Sequence, residues 1–99
     1  MKNLILAAAL FVSGSAFALS PSQGHTYLCQ EALNSYPGVF DSVETCKSQT
    51  SVEYNSDSYN FFEISFASCR TGEYVTLGLN ADVMEFSGGS SGLDSDYCK

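Results

Sequence analysis

The chain has 99 residues, of which eleven are acidic and four are basic, and its formal net charge is −7 at pH 7. A surface of this sign argues against nucleic acids and anionic membranes as partners, because their phosphate groups would be repelled. It favours a basic partner, although a charge of this size also serves simply to keep a small protein soluble. The sequence contains no internal repeat.

The first 18 residues have the pattern of a secretory signal peptide. A basic residue precedes an apolar run at residues 4–12, and small residues then lead to Ala16-Phe17-Ala18. This A-x-A ending predicts cleavage after the second alanine, whereas a membrane anchor would need about 20 apolar residues. We therefore expect residues 1–18 to be removed and residues 19–99 to form a single small disulfide-stabilised domain without a membrane anchor.

Two helices are predicted early in the mature chain, on either side of a tight turn at Tyr36-Pro37-Gly38. The first begins with the capping box Ser20-Pro21-Ser22-Gln23, and its apolar residues recur at helical spacing. The second opens at Asp41, with Glu44 three residues later in the same kind of pattern. Helices joined by such a turn lie antiparallel, so residues equidistant from the turn face one another.

The cysteines form an even set in a short exported chain, which predicts two disulfides. They are Cys29, Cys46, Cys69 and Cys98. Because the first two lie at equal distances from the helical turn, we favour the pairs Cys29–Cys46 and Cys69–Cys98 among the three possible connectivities. A zinc site is disfavoured, since no C-x-x-C pair occurs and His25 is the only histidine.

Alternating apolar and polar residues at 59–69 predict a strand with one face on the core. A turn at residues 70–72 leads to a second alternating strand at residues 73–79. Two short strands are predicted at residues 52–54 and 83–86. The composition of residues 87–92, SGGSSG, predicts a flexible linker before the C-terminal tail. Together the elements predict an α+β fold, in which the N-terminal helical hairpin packs on a three- or four-stranded antiparallel sheet.

No catalytic, metal or nucleotide signature rises above background, and no cofactor is expected. His25 and Cys29 have the i, i+4 spacing of a helical metal pair or of a base beside a thiol, but a disulfide at Cys29 removes both options. Two further pairs resemble fragments of calcium loops, namely Asn55 with Asp57 and Asp94 with Asp96. Both lack the ligand spacing and the closing glutamate of an EF-hand.

The sheet face turned away from the helices is the candidate binding surface, because exposed contiguous aromatic surface usually marks a binding site. Its candidate residues are Tyr59, Phe61, Glu63 and Tyr74. In the alternative, the tail is drawn back by its cysteine and covers this face, with Leu93 and Tyr97 packed on Phe61.

These features predict an exported binding module, an inhibitor or ligand of a basic extracytoplasmic protein such as a lysozyme or a protease. Both a periplasmic and a secreted location fit the signal peptide. The first alternative is a structural or accessory cell-envelope protein without catalytic activity, and the second is a small secreted enzyme. A salt-sensitive complex with a basic partner would favour the binding module, whereas a complex retained at high salt would favour the structural protein.

Overall fold

The computed structural model describes residues 19–94 and 96–98, which form two helices followed by a four-stranded antiparallel sheet. The elements are α1 (Pro21–Ser35), α2 (Val43–Gln49), β1 (Glu53–Asn55), β2 (Phe61–Ser68), β3 (Glu73–Asn80) and β4 (Glu85–Gly92). The strands lie in the order β1-β2-β3-β4, so each one pairs with its neighbour in the sequence. The predicted α+β fold with an N-terminal helical hairpin is confirmed. The predicted signal peptide, residues 1–18, lies outside the described residues.

Both helices begin at a serine N-cap. The capping box of α1 is confirmed, because the Ser20 hydroxyl accepts the Gln23 N–H at 3.2 Å and the Gln23 side chain accepts the Ser20 N–H at 2.8 Å. In α2 the cap is Ser42, whose hydroxyl accepts the Thr45 N–H at 3.1 Å. The prediction that Asp41 opens this helix is therefore wrong by one residue, since serine and aspartate are equally good caps.

The core lies between α1 and the two central strands. Alternate residues of β2 and β3 point toward the helices, and β2 alternates strictly between buried and partly buried positions. The buried apolar residues are Leu28, Cys29, Ala32, Cys46, Phe62, Ile64, Phe66, Val75, Leu77, Leu79 and Ala81. The opposite face of the sheet is left without a helical cover.

The glycine-serine segment is a strand and not the predicted linker. β4 pairs with β3 over eight positions, from Glu73 opposite Gly92 to Asn80 opposite Glu85. Antiparallel pairing uses backbone hydrogen bonds, so the small side chains that suggested a linker do not prevent it. The strand predicted at residues 83–86 consequently begins later, because residues 81–84 form the turn and Met84 adopts a left-handed φ of 55°.

Both disulfides have the favoured pairing. Cys29–Cys46 joins α1 to α2 with its Cα atoms 5.7 Å apart, and Cys69–Cys98 ties the tail to the end of β2 with its Cα atoms 5.6 Å apart. All four cysteines are bonded in this way. Two disulfides in so small a fold indicate an oxidising, extracytoplasmic compartment. Within residues 19–94 and 96–98, no helix has the length and apolar character needed to cross a bilayer.

Candidate binding face

The four predicted site residues are all reachable from solvent. Phe61 and Glu63 alternate with core residues of β2 and are partly buried on the face away from α1. Tyr59 precedes β2, Tyr74 lies in β3, and each of these tyrosines is 45% exposed. We call this side of the sheet the outer face.

The register separates the predicted residues into two groups. Phe61 lies opposite Asn80, whereas Tyr74 lies opposite Ala67 near the β2–β3 turn. Phe61 and Ala67 are six positions apart along β2, so the two aromatic positions are separated by about 20 Å at the rise of a strand. The two aromatic side chains therefore lie toward opposite ends of the outer face, because antiparallel pairing places residues opposite each other only when they are equally far from the turn.

The Phe61 end of the outer face contains a cleft of about 520 Å³. Tyr59 and Phe61 form one wall, with their rings edge to face and their centroids 5.7 Å apart. The Phe61 ring also lies across Gly78, filling the space that a side chain would occupy there. This wall is held in place by packing and does not depend on a bound partner.

Acidic side chains line the other side of the same cleft. Glu53 and Glu63 lie directly opposite each other in the β1–β2 pair, and Asp57 also lines the cleft. Carboxylates in directly opposed cross-strand positions repel and destabilise the pair. The cleft therefore combines an aromatic wall with uncompensated negative charge, which is the environment that a lysine or arginine side chain prefers.

The basic side chains of the described residues are engaged elsewhere. Lys47 donates to the Ser22 carbonyl and hydroxyl at 3.1 Å and to the Thr26 hydroxyl at 2.8 Å, which ties α2 to α1. Arg70 donates to the Pro37 carbonyl at 2.6 Å, which ties the β2–β3 turn to the helical turn. Neither cation is placed to neutralise the acidic cleft.

The C-terminal tail lies at the Tyr74 end and not on Phe61. The Leu93 N–H donates to the Gly72 carbonyl at 2.9 Å, and the following disulfide holds the tail beside the end of β2. Tyr97 lines a cleft of about 440 Å³ together with Tyr74 and is itself 64% exposed. The alternative in which Leu93 and Tyr97 cover Phe61 is therefore wrong.

His25 has a structural environment. Its Nε2 lies 2.7 Å from the Thr50 hydroxyl, which itself donates to the Cys46 carbonyl at 2.8 Å. The Thr50 oxygen must therefore accept, so Nε2 carries the proton of the neutral ring. Burial lowers the pKa of His25, and the positive charge of Lys47 lowers it further. With Cys29 in a disulfide, the two residues cannot act as a base and a thiol.

The two pairs that resemble fragments of calcium loops form local turns. The Asn55 side-chain oxygen accepts the Asp57 N–H at 2.8 Å, and the Asp94 carboxylate accepts the Asp96 N–H at 3.1 Å. Side chains of this type commonly bond to the backbone two residues ahead in turns. In the described part of the chain, no group of three or more His, Cys, Asp or Glu side chains is placed to hold a metal ion.

No family model, curated protein or solved structure matches this chain. The function is therefore inferred from the residues of the site itself. Sequence reasoning missed Glu53, because a strand of three residues carries little periodic signal. Its position opposite Glu63 would have followed from counting outward along both strands from the turn at residues 56–60.

Proposed function

We propose that the protein is an exported binding module that acts in the periplasm or the surrounding medium as an inhibitor or ligand of a basic protein. The supporting observation is the opposed pair of Glu53 and Glu63 beside the aromatic wall of Tyr59 and Phe61. Like charges in directly opposed cross-strand positions destabilise a strand pair. A cation from a partner relieves the repulsion and stacks on the aromatic rings.

Arginine suits this cleft better than lysine. Its planar guanidinium donates to two carboxylates at once and stacks on an aromatic ring, whereas an ammonium group is a compact and strongly hydrated charge. The partner's arginine therefore lies between Glu53 and Glu63 with its flat face toward Phe61. Desolvated arginines of this kind are among the side chains that dominate the energy of an interface.

The Tyr74 end supplies a second contact with the same partner. Glu63 lines both the large cleft and a smaller one of about 290 Å³ that Tyr74 borders, so the surface is continuous between the two aromatic groups. The surface extends about 20 Å along β2, a length that fits the side which one partner contributes to a standard protein interface. Each partner in such an interface buries about 800 Å². The negative net charge steers a basic protein toward this surface.

The test is affinity capture from the native envelope fraction with the mature, oxidised protein as bait. We expect a basic protein that is retained at low salt and eluted as salt rises, because exposed charges are screened. The double substitution Glu53→Gln and Glu63→Gln should then slow association, while Glu44→Gln on α2 serves as a control that removes an exposed acid away from the outer face.

Two results would contradict this function. A basic partner that binds the double glutamine variant and the unmodified protein equally well would show that the opposed carboxylates are not the site. A partner retained in high salt through apolar contacts would instead favour a structural or accessory envelope protein.

A further inference from the structure

β4 is an open edge of the sheet. It pairs with β3 on one side, and all eight of its residues are exposed. The Leu93 N–H donates to the carbonyl of Gly72, the residue directly opposite in this register. Because hydrogen-bonded pairs alternate with non-hydrogen-bonded pairs in an antiparallel ladder, the odd-numbered residues of β4 are the ones that bond to β3. The backbone N–H and C=O groups of the even-numbered residues therefore point away from the sheet. These residues are Phe86, Gly88, Ser90 and Gly92.

This edge lacks the features by which proteins usually prevent strand addition. Exposed edges are commonly very short, or carry a lysine, a proline or a bulge. The opposite edge, β1, has only three residues. In contrast, β4 has eight residues, and residues 86–92 contain neither a charge nor a proline. Its glycines and serines allow another backbone to approach closely.

A groove of about 290 Å³ with a mixed polar and apolar lining lies beside this edge on the helix side of the sheet. It exists because Gly88 places no side chain over Leu77, and a Cβ there would lie 2.9 Å from the Thr76 carbonyl oxygen. Tyr36 and Phe86 form the sides of the groove, and Phe86 is 41% exposed. A side chain that enters between these two rings from a neighbouring strand would also contact Leu77 at the base of the groove.

The surroundings of β4 are negatively charged. Glu31 lines the groove, where its carboxylate accepts the Ser35 hydroxyl at 2.8 Å. Glu85 lies at one end of the strand, and Glu73 pairs with Gly92 at the other end. The charge favours a basic occupant over a second copy of this chain, which would bring another net charge of −7 to the same edge.

We propose that β4 binds an extended segment of another protein as a fifth strand, and that this segment alternates apolar side chains with lysine or arginine. The apolar side chains enter the groove bounded by Tyr36, Leu77 and Phe86. The basic side chains lie on the outer side of the strand, near Glu85. Backbone hydrogen bonds supply the affinity and the side-chain alternation supplies the specificity, as in other cases of strand addition. This surface is separate from the outer-face clefts and does not depend on their function.

The experiment uses a fluorescently labelled, end-blocked peptide in which lysine and valine alternate over the length of β4. We expect saturable binding in fluorescence anisotropy, with slowed hydrogen exchange at the amides of Phe86, Gly88 and Ser90. The matched control peptide is N-methylated at every second residue, which removes the donors of one edge while keeping the charge. It should not bind.

Two substitutions at one position test the protein side. Ser90→Pro removes an N–H that points away from the sheet and leaves the bonds to β3 in place, a position where proline is tolerated on edge strands. We expect it to weaken peptide binding roughly fivefold or more, the effect of one lost hydrogen bond. Ser90→Ala keeps the N–H and should bind normally. Melting curves establish that both variants are folded.

The proposal is overturned if the N-methylated peptide binds as well as the unmodified one, since binding would then be electrostatic only. It is also overturned if the protein dimerises in the absence of peptide and Ser90→Pro abolishes the dimer, because a second copy would then occupy the edge. The comparison between the two peptides uses the unmodified protein, so it remains decisive even if the proline variant fails to fold.

Discussion

The ring of Phe62 lies directly against the backbone of Gly24, in the space that a side chain at position 24 would occupy. A Cβ on Gly24 would be 2.7 Å from Cγ of Phe62, which is closer than such atoms pack. Phe62 is 1% exposed and contacts the ring of Tyr54, with the centroids 4.8 Å apart. The glycine that weakens the helical propensity of α1 is therefore the residue that allows α1 to approach the sheet.

Gly24→Ala should destabilise the fold by about 1–3 kcal/mol, the usual effect of overpacking a core. This outweighs the gain of about 1 kcal/mol in helix propensity. The measurement is the urea midpoint of unfolding. Gly89→Ala is the control, because nothing lies within 4 Å of a Cβ at that position. A raised midpoint for Gly24→Ala would show that the Phe62 ring can move aside at no cost.

Loss of the disulfides should unfold the protein. The separations of 17 and 29 residues correspond to about 3 and about 4 kcal/mol in the chain-entropy model. These values are comparable with the whole stability of a small domain, about 5 kcal/mol or more. We expect circular dichroism to show unfolding after reduction. A reduced protein that keeps its native spectrum, with four alkylated thiols, would contradict the prediction.

The two disulfides should differ in importance. Replacing Cys29 and Cys46 together by alanine should cost more stability than replacing Cys69 and Cys98, although the latter pair closes the longer loop. The reason is that the side chains of the first pair lie fully within the core, so the substitution also leaves a cavity. Thermal melting of the two double variants decides the order, and the reverse order would contradict the cavity argument.

The neighbours Phe61 and Phe62 should respond differently to truncation. Phe62→Ala should cost about 3–5 kcal/mol, as for a buried phenylalanine. Phe61→Ala should cost only about 1 kcal/mol, because its partly buried ring covers Gly78 on the outer face. The same change should weaken partner binding by about 1 kcal/mol or more. A loss of about 3 kcal/mol in stability from Phe61→Ala would identify that residue as core and remove the proposed wall of the cleft.

His25 should make stability depend on pH. In the unfolded chain its pKa is about 6.5, whereas burial and then Lys47 lower it in the fold. Between the folded and unfolded pKa values of His25, the unfolded state binds more protons. The contribution of the neutral His25 to stability is therefore present above pH 6.5 and is lost as the pH falls toward the folded-state pKa. Melting temperatures at about pH 7.5 and about pH 5.5 measure this loss. His25→Gln should abolish most of it, and an equal loss in that variant would assign the effect to other groups.

Much of the fold follows from features that are local in the sequence. The Ser20–Gln23 capping box, the proline-glycine turn and the alternation in β2 and β3 involve residues close together in the chain. The pairing of Cys29 with Cys46 also follows, because a tight turn between two helices brings residues equidistant from it together. Strand parity alone also predicts that Phe61, Glu63 and Tyr74 share the outer face.

Only the tertiary structure decided how these parts combine. The segment Ser87–Gly92 becomes a strand because β3 offers it a complete hydrogen-bonding edge, and glycine and serine carry no periodic side-chain signal of this. The separation of Phe61 from Tyr74, and the opposition of Glu53 to Glu63, depend on strand register. Register is set by turn geometry together with the burial of one face, and a shift of one residue exchanges the two faces. Single-strand periodicity determines which face a side chain takes, but its neighbours across the sheet are determined by the paired strands.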